Sequence, residues 1–225
     1  MKLWDKGISI DKQIEKFTVG NDRELDMHLA KYDIQASTAH AKMLGQVGIL
    51  ESQEVYLLVS ELELLNQQLE NGEFEIEEEF EDVHSKIEYE LTSKLGDTGK
   101  KIHTARSRND QVLVAQQLYF KENLLDISGK TRNLIDVLLK LAEEHKEKLL
   151  PGYTHLQVAM PSSFGLWFSA YAELLIDDLY LLDAGQKIVD QNPLGSAAGY
   201  GSSFPIDREF TTKELGFATQ KYNVV

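Results

Sequence analysis

The sequence contains no cysteine, only 4 prolines among 225 residues, and no long uninterrupted apolar run. Without cysteine there is neither a disulfide framework nor a thiolate metal site, and this composition is typical of a reducing compartment. No window approaches the roughly 20 apolar residues of a membrane span. Met1–Gly7 lacks the apolar core of a signal sequence. The sequence therefore predicts a soluble, cytoplasmic protein with no membrane partner.

Basic residues are also scarce, with 23 Lys and Arg against 37 Asp and Glu, for a formal net charge of −14. A nucleic-acid partner is not expected, because it would require a basic surface that releases counterions from phosphates. An anionic substrate would need a local basic patch. The 42% of hydrophobic residues, together with so few prolines, suits a helix-rich protein.

Apolar residues recur at helical intervals in four segments. The spacing predicts helices from Asp22 to about Gly45, from Ser52 to Leu69, from Val112 to about Lys148, and from Pro161 to about Val189. Ser52 is expected to cap the second helix. The third would contain about 35 residues and be about 50 Å long, which suggests a bundle or packing between subunits.

Three further segments are interpreted as connections. The acidic run Glu73–Glu81 is interpreted as a solvated connection or a short helix start, and Leu149–Gly152 as part of a short polar segment that joins two long helices. Asn192–Pro205 is rich in Gly, Ser and Ala, and its side chains are too small to fill a core by themselves. We expect flexibility or close approach to a ligand there.

The densest polar motif is His103-Thr104-Ala105-Arg106-Ser107-Arg108-Asn109-Asp110-Gln111, directly before the third helix. A helix N-terminus attracts anions, and arginine offers a planar fork of donors that matches a carboxylate. Two arginines in three residues therefore suggest a dicarboxylate clamp. The alternative interpretation is a basic helix start paired with local Asp and Glu, and the spacing alone does not separate the two.

Histidines provide the remaining candidates for proton transfer. In Gly152-Tyr153-Thr154-His155-Leu156-Gln157, His155 could exchange protons beside a hydroxyl, or could instead be a satisfied histidine at an interface. His84 precedes Glu88 by one turn, and on spacing alone a surface pair is expected. His28, His40 and His145 are expected to take no direct part in chemistry.

Two kinds of site lack their signatures. The histidines are scattered without a His-Glu-Xaa-Xaa-His pattern, so no metal site is expected. The glycine-rich Gly195–Gly201 lacks the Gly-Lys-Ser/Thr ending of a phosphate loop, and no strand-helix alternation surrounds it. No cofactor is predicted.

Taken together, residues 103–112, residues 152–157, Pro193-Leu194-Gly195-Ser196 and Pro205-Ile206-Asp207-Arg208-Glu209 resemble argininosuccinate lyases, members of the fumarase and aspartase superfamily. The resemblance runs from Lys2 to the end of the chain. It implies an all-α fold and a homotetramer of the full-length chain, with each active site assembled from three subunits. It also implies reversible elimination of fumarate from argininosuccinate to give arginine, as in arginine biosynthesis.

The resemblance assigns roles to nine residues. It implies that Thr154 and His155 are catalytic, with His155 in proton transfer. The residues that would bind the substrate, a small dicarboxylate with a guanidino group, are His84, Arg106, Ser107, Arg108, Asn109, Gln157 and Arg208, with Gln157 only as a supporting residue.

One motif of the resembled family is absent. The serine usually taken as its base lies in Gly-Ser-Ser-Xaa-Met-Pro, and we expect this motif well after residue 225. Gly201-Ser202-Ser203-Phe204-Pro205 lacks the methionine and the following lysine. We therefore expect a truncated N-terminal half that is inactive alone. It would comprise a small helical domain, 1–110, and the first part of the bundle domain, 111–225.

Two alternatives to an argininosuccinate lyase stay open. Another lyase of the same superfamily would share the motifs but act on a different substrate. A structural protein on the same scaffold, as the lens crystallins that resemble this family illustrate, would be expected to have lost clamp residues. Both arginines, Asn109, Thr154 and His155 are present here, which favours an enzyme.

Overall fold

The computed structural model describes residue 17 and residues 19–222. Elements are labelled in chain order over that part. The helices are α1 (Asp22–Asp26), α2 (Ala30–Gln46), α3 (Ser52–Glu70), α4 (Val83–Leu95), α5 (Asp97–Lys100), a 3-10 turn (Lys101–His103), α6 (Arg108–Glu144), α7 (Phe164–Val189) and α8 (Arg208–Glu214). Strands β1 (Leu149–Thr154) and β2 (Gln157–Ser163) pair antiparallel, and the two-residue strands β3 (Gln191–Asn192) and β4 (Thr219–Gln220) pair parallel. The all-α prediction is confirmed.

The chain divides into two compact units. Within the described residues, unit 1 extends to Tyr119 and resumes at Asp190, and unit 2 contains Phe120–Val189. Helix α6 contributes its first residues to unit 1 and the rest to unit 2. The domain boundary at residue 110 stays a prediction.

The larger core of unit 1 lies where α2 packs against α3 and α4. The apolar faces of these helices supply its fully buried side chains, among them Leu44, Leu58, Leu62, Ile87 and Leu91. The first turn of α3 is stabilised by Glu54, whose carboxylate accepts a hydrogen bond from the backbone N–H of Glu51 at 3.1 Å. Glu51 precedes the helix and Ser52 is its first residue, so the predicted capping by Ser52 is wrong.

A second core of unit 1 lies between α2 and the beginning of α6. Tyr32, Ala36 and Ala39 face Val114, Ala115 and Leu118, and Leu194, Leu215 and Phe217 complete the cluster. The Gly/Ser/Ala-rich connection adds one side chain to this core, Leu194, which is 1% exposed. This packing places the start of α6 beside α2.

The acidic run 73–81 is a connection without a helix. Its two aromatic residues, Phe74 and Phe80, are buried while most of the acidic side chains face solvent. Arg23 donates hydrogen bonds to the carbonyls of Glu78 and Phe80. The solvated connection predicted there is therefore also anchored by apolar burial.

Unit 2 contains the rest of α6, the β1–β2 hairpin and α7. Helices α6 and α7 approach closely, since a Cβ on Gly165 would lie 2.9 Å from the carbonyl oxygen of Ala142. The short polar connection that the sequence predicted is in fact a β-hairpin. Pro161 belongs to β2, and α7 begins at Phe164, where the Ser163 hydroxyl accepts from the N–H of Leu166. The predicted helix start at Pro161 is thus three residues early.

Many large apolar side chains of unit 2 are exposed. They occur along both long helices and the hairpin, and include Leu125, Leu134, Val137, Leu149, Leu166, Trp167, Leu174, Tyr180, Leu181 and Ile188. No helix in residues 19–222 is long and apolar enough to span a membrane.

Candidate active site

The polar motif turns sharply into α6. Ala105 adopts a positive φ of 57°, which is uncommon for a residue other than glycine, and α6 begins three residues later. The Ser107 hydroxyl accepts from the N–H of Asn109 at 3.3 Å, and Asp110 accepts from the N–H of Ser107 at 2.9 Å. These two contacts cap the first turn of a 37-residue helix.

Asp110 also binds the glycine-rich connection. Its second carboxylate oxygen accepts from the N–H groups of Gly195 at 3.0 Å and Ala197 at 2.9 Å. Burial raises the pKa of Asp110, while the backbone donors lower it. One buried side chain therefore holds the start of α6 and the segment 195–197 together.

Arg106 is directed into unit 1. Its side chain is 1% exposed, and its guanidinium donates to the Ser37 hydroxyl at 2.9 Å and to the Asp33 carboxylate at 3.3 Å. Burial lowers the pKa of Arg106, an effect that Asp33 opposes. This arginine is paired with a carboxylate of the protein itself.

Arg108 lies nearer the surface, with 21% of its side chain exposed. Its guanidinium donates to the side-chain oxygen of Gln111 at 2.9 Å and lies 3.3 Å from the Glu88 carboxylate and 3.8 Å from that of Asp82. The alternative interpretation of a basic helix start paired with acids therefore describes part of the geometry. The acidic partners of Arg106 and Arg108, namely Asp33, Asp82 and Glu88, however, come from distant parts of the sequence.

His84 is buried, with 2% of its side chain exposed, and its Nδ1 lies 3.1 Å from an oxygen of Asp33. The surface pair with Glu88 that spacing suggested is wrong, because Glu88 instead contacts His103 and Arg108. Burial alone would raise the pKa of Asp33, but His84 and Arg106 together hold it well below its usual range.

His40 on α2 contacts the backbone of the polar motif. Its Nε2 lies 2.9 Å from the carbonyl oxygen of Thr104, and the carbonyl can only accept, so this nitrogen carries the proton. Burial, reinforced by the charge of Arg106, lowers the pKa of His40 to about 3. The imidazole is neutral at pH 7.

Arg208, at the start of α8, steadies backbone rather than another side chain. It donates to the carbonyl oxygens of Leu194 at 3.0 Å, Asn192 at 3.2 Å and Lys221 at 2.9 Å. Burial lowers its pKa. These contacts fix the beginning of the connection whose N–H groups bind Asp110.

The hairpin of unit 2 presents Thr154, His155 and Gln157. Thr154 pairs with Gln157 across the strands, which leaves His155 and Leu156 as a two-residue turn. Both turn residues have positive φ, 49° and 64°, where glycine or asparagine is usual. The Thr154 hydroxyl lies 2.8 Å from Nδ1 of His155, and all three side chains are exposed.

Such backbone strain is concentrated at functional sites in proteins. The two strands below this turn pack closely. At Gly152, where the register shifts, a Cβ would lie 2.8 Å from the carbonyl oxygen of Met160. His155 therefore lies at the tip of the hairpin, in a turn whose positive φ values are unfavourable for histidine and leucine.

The structure brings together His84, Arg106, Ser107, Arg108 and Asn109 within unit 1, while Arg208 binds the connection beside them. It groups Thr154, His155 and Gln157 within unit 2. No cluster of three or more His, Cys, Asp or Glu residues in the described part of the chain could hold a metal ion.

Sequence reasoning missed the acids and the amide that organise unit 1, namely Asp33, Glu88, Asp110 and Gln111. Asp33 carried a signal, because it follows Tyr32 and precedes Ile34 in a helix whose apolar spacing predicted burial. A carboxylate at such a position requires a partner inside the protein.

Comparison with known proteins decides the family. A family profile described as "Lyase" matches residues 7–224. The chain belongs to this lyase family. Argininosuccinate lyase from Phocaeicola vulgatus is 54% identical over 100% of this chain and 50% of its own length, and that from Thermotoga neapolitana is 46% identical over 100% of the chain and 56% of its own. The resemblance inferred from the motifs is confirmed.

This lyase chain spans about half the length of the curated relatives it matches. Among solved structures, an EDDS lyase in complex with formate superposes with a TM-score of 0.78 at 24% identity, covering 97% of this chain and 43% of its own. At that identity the similarity establishes the fold.

Proposed function

We propose that the full-length protein that contains this chain is an argininosuccinate lyase. The observation that carries the proposal is the similarity of the whole chain to relatives of that name at up to 54% identity. The reaction removes a proton from the carbon beside a carboxylate and breaks the bond from the neighbouring carbon to a guanidine nitrogen. The nitrogen gains a proton, and the products are arginine and fumarate.

The start of α6 would hold the dicarboxylate part of the substrate. Arg108 is partly exposed, Asn109 is exposed, and Ser107 caps the helix beside them. A 37-residue helix directs the positive end of its dipole toward an anion there. Arg106 is already engaged with Asp33, so we assign it to organising the motif, together with His84. Arg208 would support the neighbouring connection.

The hairpin would supply proton transfer. His155 is exposed at the tip, and the adjacent Thr154 hydroxyl can orient its ring or donate to a substrate carboxylate. Gln157 lies beside them as a supporting contact. We assign one proton transfer to His155, and the predicted serine base would carry out the other.

We further propose a cytoplasmic homotetramer. The exposed apolar side chains along α6 and α7 support self-association, because monomeric proteins rarely leave large apolar patches uncovered.

The test is an ultraviolet assay of fumarate appearance with purified full-length protein. Argininosuccinate should be turned over, whereas adenylosuccinate and malate should not. Turnover of only one of the latter would identify another lyase of the superfamily. Absence of turnover with all three, from a folded protein, would favour a structural role.

A further inference from the structure

We propose that Asp33 is a positioning residue for the dicarboxylate clamp, which it orients through Gln111 and Arg108. The inference rests on the proposed function and extends it to Asp33, a residue outside the polar motif. Asp33 is fully buried on α2 and does not face any open surface. Its effect on substrate would therefore be transmitted by its neighbours.

Four parts of unit 1 converge on the Asp33 carboxylate. Gln111 donates to its two oxygens at 3.1 and 3.2 Å, Arg106 donates at 3.3 Å, and Nδ1 of His84 lies 3.1 Å away. Ser37 donates from the next turn of α2 at 3.4 Å. One charge thereby joins α2, α4, the polar motif and α6.

Gln111 transmits this arrangement to Arg108. Its amide is 1% exposed, with its nitrogen on Asp33 and its oxygen 2.9 Å from the Arg108 guanidinium. An ionised carboxylate only accepts hydrogen bonds and a guanidinium only donates them. Both partners are therefore satisfied only when the amide nitrogen faces Asp33 and the amide oxygen faces Arg108. The charge on Asp33 thus favours the orientation in which Gln111 presents an acceptor to Arg108.

Loss of the Asp33 charge should therefore disturb Arg108. In Asp33→Asn, the new amide nitrogen would face donors from Gln111 or Arg106, which favours reversal of the Gln111 amide. Arg108 would then meet an N–H instead of an oxygen. Glu88 and Asp82 would remain as its partners and draw it toward themselves.

The experiment compares Asp33→Asn, Gln111→Met and Gln111→Glu with the double variant Asp33→Asn/Gln111→Glu in the full-length protein. The readouts are KM and kcat for argininosuccinate and the calorimetric dissociation constant of succinate, a dicarboxylate that does not react. Gln111→Met leaves the Asp33–Arg106 pair intact, so it tests the relay even where Asp33→Asn does not fold.

Each single variant should raise KM and the succinate dissociation constant about ten- to hundredfold, the range for a lost hydrogen bond to a charged group, and change kcat less. The double variant restores a carboxylate facing an amide and should recover most of the affinity. A purely structural role would lower the free energy of unfolding of the single variants without raising KM or the succinate dissociation constant of the folded protein. Glu61→Gln is the matched control, since Glu61 is a buried acid that pairs with Lys94 away from the motif.

Values of KM and succinate affinity within about twofold of wild type in folded Asp33→Asn or Gln111→Met would overturn the proposal, as would failure of the double variant to recover affinity. If the wild-type protein binds succinate but does not turn over argininosuccinate, the proposed substrate is wrong. Rescue of succinate binding by the double variant would still support the role of Asp33.

Discussion

The two units of the chain differ in where their charged side chains pair. Unit 1 buries Asp33 between Arg106 and His84, whereas the ion pairs of unit 2, such as Lys130 with Asp126, lie on the surface. Apolar side chains follow the same pattern, because unit 1 has two buried cores and unit 2 exposes much of α6 and α7. The polar motif is thus organised inside its own unit, while unit 2 presents a histidine on a short local turn.

This difference assigns separate sources of order to the two groups of candidate residues, one within each unit. Arg108 is held by side chains from α4 and α6. His155 depends on the register of a two-stranded hairpin and on its neighbour Thr154. Substitutions in unit 1 should therefore affect stability and binding together, and those at the hairpin tip should affect chemistry alone.

The largest effect on stability is expected for Arg106→Gln. Removing one partner of a buried ion pair leaves Asp33 uncompensated, and such losses cost about 3–5 kcal/mol. The matched change Arg108→Gln, at a partly exposed site, should cost less than about 1 kcal/mol. Chemical denaturation of the full-length variants, followed by circular dichroism, measures both. Equal costs would show that the two arginines are not divided into a buried and a substrate-facing role.

His155→Asn should lower kcat about 10²–10⁴-fold, the usual contribution of a positioned acid or base, without loss of helical content. The fumarate assay measures the rate and circular dichroism the fold. Gln157→Ala, beside it in the hairpin, provides a comparison with a smaller expected loss. Retention of wild-type kcat by His155→Asn would show that His155 does not transfer a proton in the reaction.

Buried His40 should make unit 1 sensitive to acid. Its folded pKa is about 3 against an ordinary 6.5, so the unfolded chain binds a proton that the native state excludes as the pH falls between those values. Stability falls with pH in that window, by about 2 kcal/mol from this group at pH 5. The free energy of unfolding at pH 7 and pH 5, for wild type and His40→Gln, checks this. The same pH slope in both would contradict it.

The smallest effect is expected on the surface of unit 2. Lys130 and Asp126 form an exposed pair four residues apart on α6, a contact worth about 0.3–0.5 kcal/mol. Lys130→Ala should therefore shift the denaturation midpoint only slightly. A decrease in the free energy of unfolding of more than about 1 kcal/mol would contradict the distinction between buried ion pairs in unit 1 and weak surface pairs in unit 2.

The sequence predicted helices well where apolar periodicity is long. The helix predicted at Ser52–Leu69 is observed at Ser52–Glu70, and α6 is a single helix of 37 residues. The hairpin was missed because prolines and Gly152 mark breaks without indicating what lies between them. Its pairing depends on register, including a shift at Gly152 that composition does not reveal.

Within the site, the motif was visible but its partners were not. Asp33 meets Arg106 and Gln111 across 73 and 78 residues of sequence, and no local spacing connects them. Such contacts depend on the tertiary packing of α2 beside the start of α6, which local sequence patterns do not reveal. The arginines therefore looked equivalent in the sequence, although the fold buries one and leaves the other partly exposed.

The most direct measurement compares fumarate formation from argininosuccinate by full-length wild-type protein and by Arg108→Gln over a range of substrate concentrations. Wild type should turn over the substrate, and Arg108→Gln, still folded, should show a KM raised about ten- to hundredfold through loss of its charged hydrogen bonds to the dicarboxylate. An unchanged KM in the variant would contradict a dicarboxylate clamp at the start of α6, and no fumarate from the wild-type protein would contradict argininosuccinate as the substrate.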